Sequence, residues 1–246
     1  MHATGRRRVM FAEGGPTLRE LAEQALSSTD RGYDLLAPKF DLTPFRTPDE
    51  VLRVAAEHTR TGGSVDRALD LGCGTGAAMQ WFRPLCAREI VGLDRSGGML
   101  DEARRRLGES HGARAEFVRG DMLAPPFGAV FDAVTCFGAF GHVLPRDEPR
   151  MVRAVRGVLR PGGRFVFATG DAPPLRSPAL WAARGFNAVM HIRNALRKPE
   201  FVMFYLTFLR ERATTLLEAH GFDVDVRRAI FAPPFDRLCL IVATKR

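Results

Sequence analysis

Ala68-Leu69-Asp70-Leu71-Gly72-Cys73-Gly74-Thr75-Gly76 runs from an apolar strand pattern into an acid and then into alternating glycines. Glycines let the chain turn sharply and let a ligand approach the backbone. A helix starting just beyond them offers N–H groups without intrahelical partners. Alone this spacing is a weak signal, because it also fits the dinucleotide fingerprint with Ala77 in the last glycine's place. The flanking pattern sharpens it. Short apolar runs at 65–71, 89–94, 114–119, 130–137 and 164–169 read as strands, with helical patterns at 76–87, 97–108 and 147–160. Strands alternating with helices predict a doubly wound parallel sheet.

Two more acids follow successive strands. Asp94 closes Val91-Gly92-Leu93-Asp94, where an acid can accept both hydroxyls of an adenosine ribose. Asp121 follows the third strand in Arg119-Gly120-Asp121-Met122, where an acid can accept an adenine amino group and a methionine can lie on the ring face. Asp70, Asp94 and Asp121 thus stand beyond three consecutive strands, at the edge where open parallel sheets bind ligands.

Carrying these motifs, the chain resembles the class I S-adenosylmethionine-dependent methyltransferases, in particular the small-molecule branch with the ubiquinone/menaquinone-type and natural-product enzymes. The likeness is strong over 65–170 and continues in pattern over 205–246. Phe131-Asp132-Ala133-Val134 and Leu159-Arg160-Pro161-Gly162-Gly163 add to it. The resemblance implies a Rossmann-like seven-stranded sheet with an antiparallel last strand. It implies S-adenosylmethionine as methyl donor and S-adenosylhomocysteine as product. By position, Asp70 and the backbone of Gly72, Cys73 and Gly74 would meet the methionine part of the cofactor. Asp94 would hold the ribose with Arg95 and Met99 beside it, Asp121 and Met122 the adenine, and the backbone near Phe137 the amino group. Tyr33 resembles a lid tyrosine.

The resemblance says less about the acceptor. After the fourth strand stands Cys136-Phe137-Gly138-Ala139-Phe140-Gly141-His142, without the Asn/Asp-Pro-Pro-aromatic motif of nucleic-acid amino-methyltransferases. Paired glutamates and an acidic metal cluster are also missing, so no metal is expected. His142 is the candidate base or acceptor-orienting residue.

The flanks supply further expectations. Residues 1–64 read as an arm and a helical lid before a methyltransferase domain over 65–246. Helices are expected at Thr17–Ser27, where Thr17 and Glu20 form a capping box, and from Thr47, with 29–46 as a loop. A helical insertion spans about 171–208. Its stripe of Trp181, Gly185, Val189, Ile192 and Leu196 is read as facing the core, with Phe186 and Met190 toward a ligand, as substrate-binding residues. Strands at 222–231 and 236–244 are too closely joined to be parallel neighbours.

The chain has 246 residues and a net charge of +8, and only three of its 36 basic residues are lysines. Its longest apolar run, Phe201–Leu209, is too short to span a membrane. Cys73, Cys86, Cys136 and Cys239 match neither a zinc nor a disulfide spacing, which implies a reducing, cytoplasmic setting. The arginine clusters 6–8 and 104–106 read as solvated surface, and no aromatic interleaving points to nucleic acid. The expected partner is a small acceptor, apolar or aromatic by the aromatic content of the insertion, which equally suits a homodimer contact. Two rival readings remain open. One is a nicotinamide-dependent Rossmann oxidoreductase, and the other a non-catalytic protein that binds S-adenosylmethionine.

Overall fold

The computed structural model describes residues 14–60, 64–108 and 112–246. The basic triplet at 6–8 lies outside them. The chain opens with helices α1 (Leu18–Leu26), α2 (Thr29–Leu36), a short 3-10 segment (Ala37–Leu42) and α3 (Asp49–Arg60). The alternating unit follows as β1 (Val65–Leu71), α4 (Ala77–Phe82), β2 (Cys86–Asp94), α5 (Gly97–Leu107), β3 (Arg114–Arg119), β4 (Phe131–Thr135), α6 (Glu148–Val158) and β5 (Leu159–Gly170). Then come α7 (Pro178–Leu196), α8 (Arg210–Ala219), β6 (Phe222–Arg227) and β7 (Leu238–Lys245).

The sheet has seven strands in the order β3-β2-β1-β4-β5-β7-β6. β1 to β5 pair in parallel, and β7 runs antiparallel to both β5 and β6. The strand order therefore reverses between β1 and β4, leaving a crevice at the strands' carboxyl ends. Side-chain alternation divides the core in two. Leu69, Leu71, Leu93, Phe165 and Phe167 face α6 and α8. Ala68, Ile90, Val166 and Val242 face α3, α4 and α5. Each buried Leu, Ile, Val or Phe among them contributes about 1.5–3 kcal/mol.

One polar clamp ties three strands. Asp132 on β4 accepts from the amides of Asp66 (3.0 Å) and Arg67 (2.8 Å) at the start of β1, and Arg160 on β5 reaches it at 3.0 Å. The helix pattern read over 147–160 stops earlier: α6 ends at Val158, and Pro161-Gly162-Gly163 lies inside β5, whose first residue Leu159 pairs with Phe131 before the register shifts.

Two expectations need correction. Residues 29–46 are not a loop: α2 occupies 29–36, with the Ser28 hydroxyl accepting from the amide of Arg31. Gly32 hid its helical pattern, and that glycine is needed for packing. A Cβ there would lie 2.8 Å from the Phe201 ring and 2.9 Å from the Gln24 carbonyl. The stripe on α7 does not face the core either. Trp181 (58%), Val189 (62%), Ile192 (60%) and Leu196 (83%) are exposed, while Leu180 and Met190 are buried. The inserted helix turns its narrower apolar side inward, onto the aromatic cluster of Phe201 and Phe204. The capping box of α1, by contrast, is present as expected.

Candidate active site

A cavity of about 450 Å³ opens at the reversal point, within the usual size of a small-ligand site. Its floor is the β1–α4 loop, the ends of β1, β2 and β5, and the segment after β4. Its roof comes from α2, the 3-10 segment and residues 203–207.

The floor follows from strand ends that place acids under glycines. Leu93 O accepts from the amides of Gly72 (2.8 Å) and Cys73 (3.1 Å), stitching the β1 loop to β2. Gly74, at φ +52°, has nothing within 4 Å of where a Cβ would stand, so its backbone lies open to the cavity. Its amide donates to Asp94 Oδ2 (2.9 Å), while Asp94 Oδ1 accepts from the Ser96 amide (2.9 Å). Burial raises the Asp94 carboxyl, and those two N–H groups oppose the rise. Asp70 is 2% exposed and accepts from Thr135 Oγ1 at 2.7 Å. Burial pushes its carboxyl up to about 7 against the pull of Thr135, with the Asp94 charge adding to the rise.

His142 stands where floor and roof meet. Its Nδ1 lies 2.6 Å from the Val202 carbonyl, and its Nε2 lies 3.0 Å from the Tyr33 hydroxyl. A carbonyl can only accept, so Nδ1 carries the proton and Nε2 accepts from Tyr33. Burial lowers the imidazole's pKa, keeping the ring neutral. Burial also raises the Tyr33 phenol.

Most predicted residues converge here. Tyr33, Asp70, Gly72, Cys73, Gly74, Asp94, Arg95, Met99, Met122, Phe137 and His142 all line the cavity. Asp121 is at its margin instead. It does not line the cavity; its Oδ1 accepts from the Leu123 amide (2.9 Å), and Arg95 lies 3.9 Å from its Oδ2. Phe186 and Met190, expected to face a ligand, do not line the cavity. They pack behind its wall, Met190 with Phe201 and Phe204, and Phe186 edge-on to Tyr205 at 5.0 Å.

The sequence reading missed the clasp that holds the roof down. Asp30 pairs with Arg95 (3.0 Å), and Asp34 accepts from Ser96 Oγ (2.6 Å) and the Gly98 amide (3.0 Å). Asp41 accepts from Thr75 Oγ1 (2.7 Å) and meets Arg46 (3.4 Å) and Arg106. Asp30 and Asp34 stand four apart on α2, a spacing that marks one helical face once 29–36 is read as helix.

A family model described as a methyltransferase domain matches residues 68–163. A demethylmenaquinone methyltransferase of Deinococcus radiodurans is 33% identical over 170 residues, covering 67% of this chain and 68% of the relative. The chain belongs to the class I S-adenosylmethionine-dependent methyltransferases. Another demethylmenaquinone methyltransferase, from Clavibacter sepedonicus, is 37% identical over 129 residues, covering 52% of this chain and 50% of the relative. This methyltransferase therefore spans half the length of one curated relative and about two thirds of the other. Its fold is similar to that of a solved complex of DhpI with S-adenosylhomocysteine, with TM-score 0.62 and 21% identity over 92% of this chain and 98% of the other.

The cavity suits the family's cofactor on its own terms. An open glycine backbone, one buried carboxylate and one part-buried carboxylate at the C-terminal edge are what a cationic amino acid and a ribose diol require.

Proposed function

We propose that this methyltransferase transfers a methyl group from S-adenosylmethionine to a small apolar or aromatic acceptor. The observation that carries the reading is the pair of acids, buried Asp70 and part-buried Asp94, flanking the open backbone of Gly74 beneath an aromatic roof. When bound, the cofactor supplies an electrophilic methyl group that needs alignment more than activation.

Asp70 and the backbone of Gly72, Cys73 and Gly74 would hold the methionine part. Asp94 would hold the ribose hydroxyls on the lone pairs that Gly74 and Ser96 leave over, with Arg95 and Met99 beside it. Met122 and Asp121 would hold the adenine, and the backbone near Phe137 the cofactor's amino group. The N-terminal helices act as a lid, and the acidic clasp on α2 closes it and excludes water.

His142 is the base for an acceptor that must lose a proton. That proton passes to the Tyr33 oxygen while Tyr33 gives its own to His142 Nε2, so the phenol never needs to ionise. Phe204 and Tyr205 bound the acceptor, and Phe186 and Met190 support them from behind. Demethylmenaquinone is the first acceptor to screen, because both relatives are named for it, followed by aromatic and polyketide-like compounds.

Calorimetric titration with S-adenosylhomocysteine, with NAD in parallel, tests the reading. Binding of the former alone is expected. Preference for NAD would hand the site to oxidoreductase chemistry.

A further inference from the structure

The outward arc of α7 is apolar along its whole length. Trp181, Gly185, Val189, Ile192 and Leu196 share one stripe, and Ala182, Ala188 and Ala195 fill its edges, all exposed. Leu175, just ahead of the helix, is also exposed (72%). A contiguous apolar face of this kind on a folded chain marks an interaction site. Its inner side packs through Phe186 and Met190 against Phe201 and Phe204, so the exposed face sits on the back of the cavity roof.

Charge selects the occupant. Residues 172–199 contain no Asp or Glu but hold Arg176, Arg184, Arg193, Arg197 and Lys198. Arg193 turns inward to the carbonyls of Ala25 and Ser27, and Lys198 pairs with Glu200. Arg176, Arg184 and Arg197 remain exposed around the stripe, with Arg184 stacked 5.2 Å over the Trp181 ring. A second copy docked through this face would bring arginines against their own equivalents, with no acid on the stretch to pair them. An apolar stripe with a tryptophan and a cationic margin instead fits the boundary of an anionic bilayer. Among the described residues no helix is long and apolar enough to cross a membrane, so contact would be in the plane of the surface.

We propose that α7 docks this methyltransferase onto anionic lipid surfaces, its Trp181–Leu196 stripe entering the headgroup boundary directly above the acceptor cavity. This rests on the exposed face and not on the reading of the cavity. An acceptor dissolved in the bilayer would then have a short path to the roof.

Cosedimentation of the whole chain with phosphatidylglycerol/phosphatidylcholine vesicles, and with phosphatidylcholine vesicles alone, tests it. The expected result is binding to the anionic vesicles that weakens with salt, falls about tenfold or more on phosphatidylcholine alone, and is lost in the double variant Ile192→Ser/Leu196→Ser. Both side chains are exposed, so that variant should keep its melting temperature and its titration with S-adenosylhomocysteine. If it does not fold, the milder Leu196→Ser decides on the same assay. Absence of vesicle binding, binding that the variants leave unchanged, or a solution dimer that the variants split without any vesicle binding would each overturn the proposal. Failure of the cofactor titration in wild type would instead strike the proposed function and leave the vesicle result standing.

Discussion

At the residue scale the site depends on carboxylates kept out of water. The folded Asp70 pKa of about 7 lies above its ordinary 3.8, so between these values the folded chain holds a proton that the unfolded chain has released. Stability without ligand therefore falls as pH rises through that window. Asp70→Asn keeps an acceptor for Thr135 and removes the buried charge. It should raise the melting temperature of the unliganded protein above pH 7, read by calorimetry. The same variant should weaken S-adenosylhomocysteine binding about 10- to 100-fold, the worth of one charged hydrogen bond, and abolish the loss of wild-type affinity expected below pH 7. His142 gives a second test. Its pKa is lowered by burial, so kcat should climb as pH rises through a value below the ordinary 6.5 and be flat at neutrality. His142→Gln should remove that limb and cost about 100-fold or more in kcat. A purely orienting histidine would raise the acceptor KM and leave the limb in place. Tyr33→Phe should lower kcat without changing cofactor affinity.

At the element scale the decisive contacts join α2 to what it covers. Asp30 and Asp34 on α2 both reach the turn after β2, Asp41 in the 3-10 segment reaches the β1–α4 loop, and Gly32 lets the helix sit against α1 and Phe201. Gly32→Ala would push a methyl into the Phe201 ring and the Gln24 carbonyl. It should destabilise the N-terminal helices by about 1–3 kcal/mol, as overpacking does, and show as earlier proteolysis within residues 14–46 and weaker S-adenosylhomocysteine binding. The strands and helices of 65–170 were legible because each carries its own period. α2 was not, since its glycine is placed by Phe201, a residue 169 positions on. The direction of α7 was illegible for a related reason. Periodicity shows that a helix has an apolar face, but only the neighbours settle whether that face meets the core.

For the whole molecule, the sheet is held by apolar burial on both faces and by the Asp132 clamp across β1, β4 and β5. Asp132→Ala leaves the Asp66 and Arg67 amides without that acceptor and Arg160 without its partner. Urea unfolding should report a loss of about 2 kcal/mol, with the cofactor site intact in the molecules that remain folded. The sequence by itself determined the alternating architecture, the antiparallel pairing of the two closing strands, and the acids and glycines that meet at the strand ends. Each of those is written in short-range periods and turn chemistry, and parallel βαβ units bring successive strand ends to one edge. Tertiary structure alone decided that Tyr33 closes on His142 across 109 positions, that Phe186 and Met190 stand behind the wall and not in it, and that the apolar stripe of α7 faces outward. Those outcomes depend on which surfaces compete for burial once the chain has collapsed, and no local pattern carries that information.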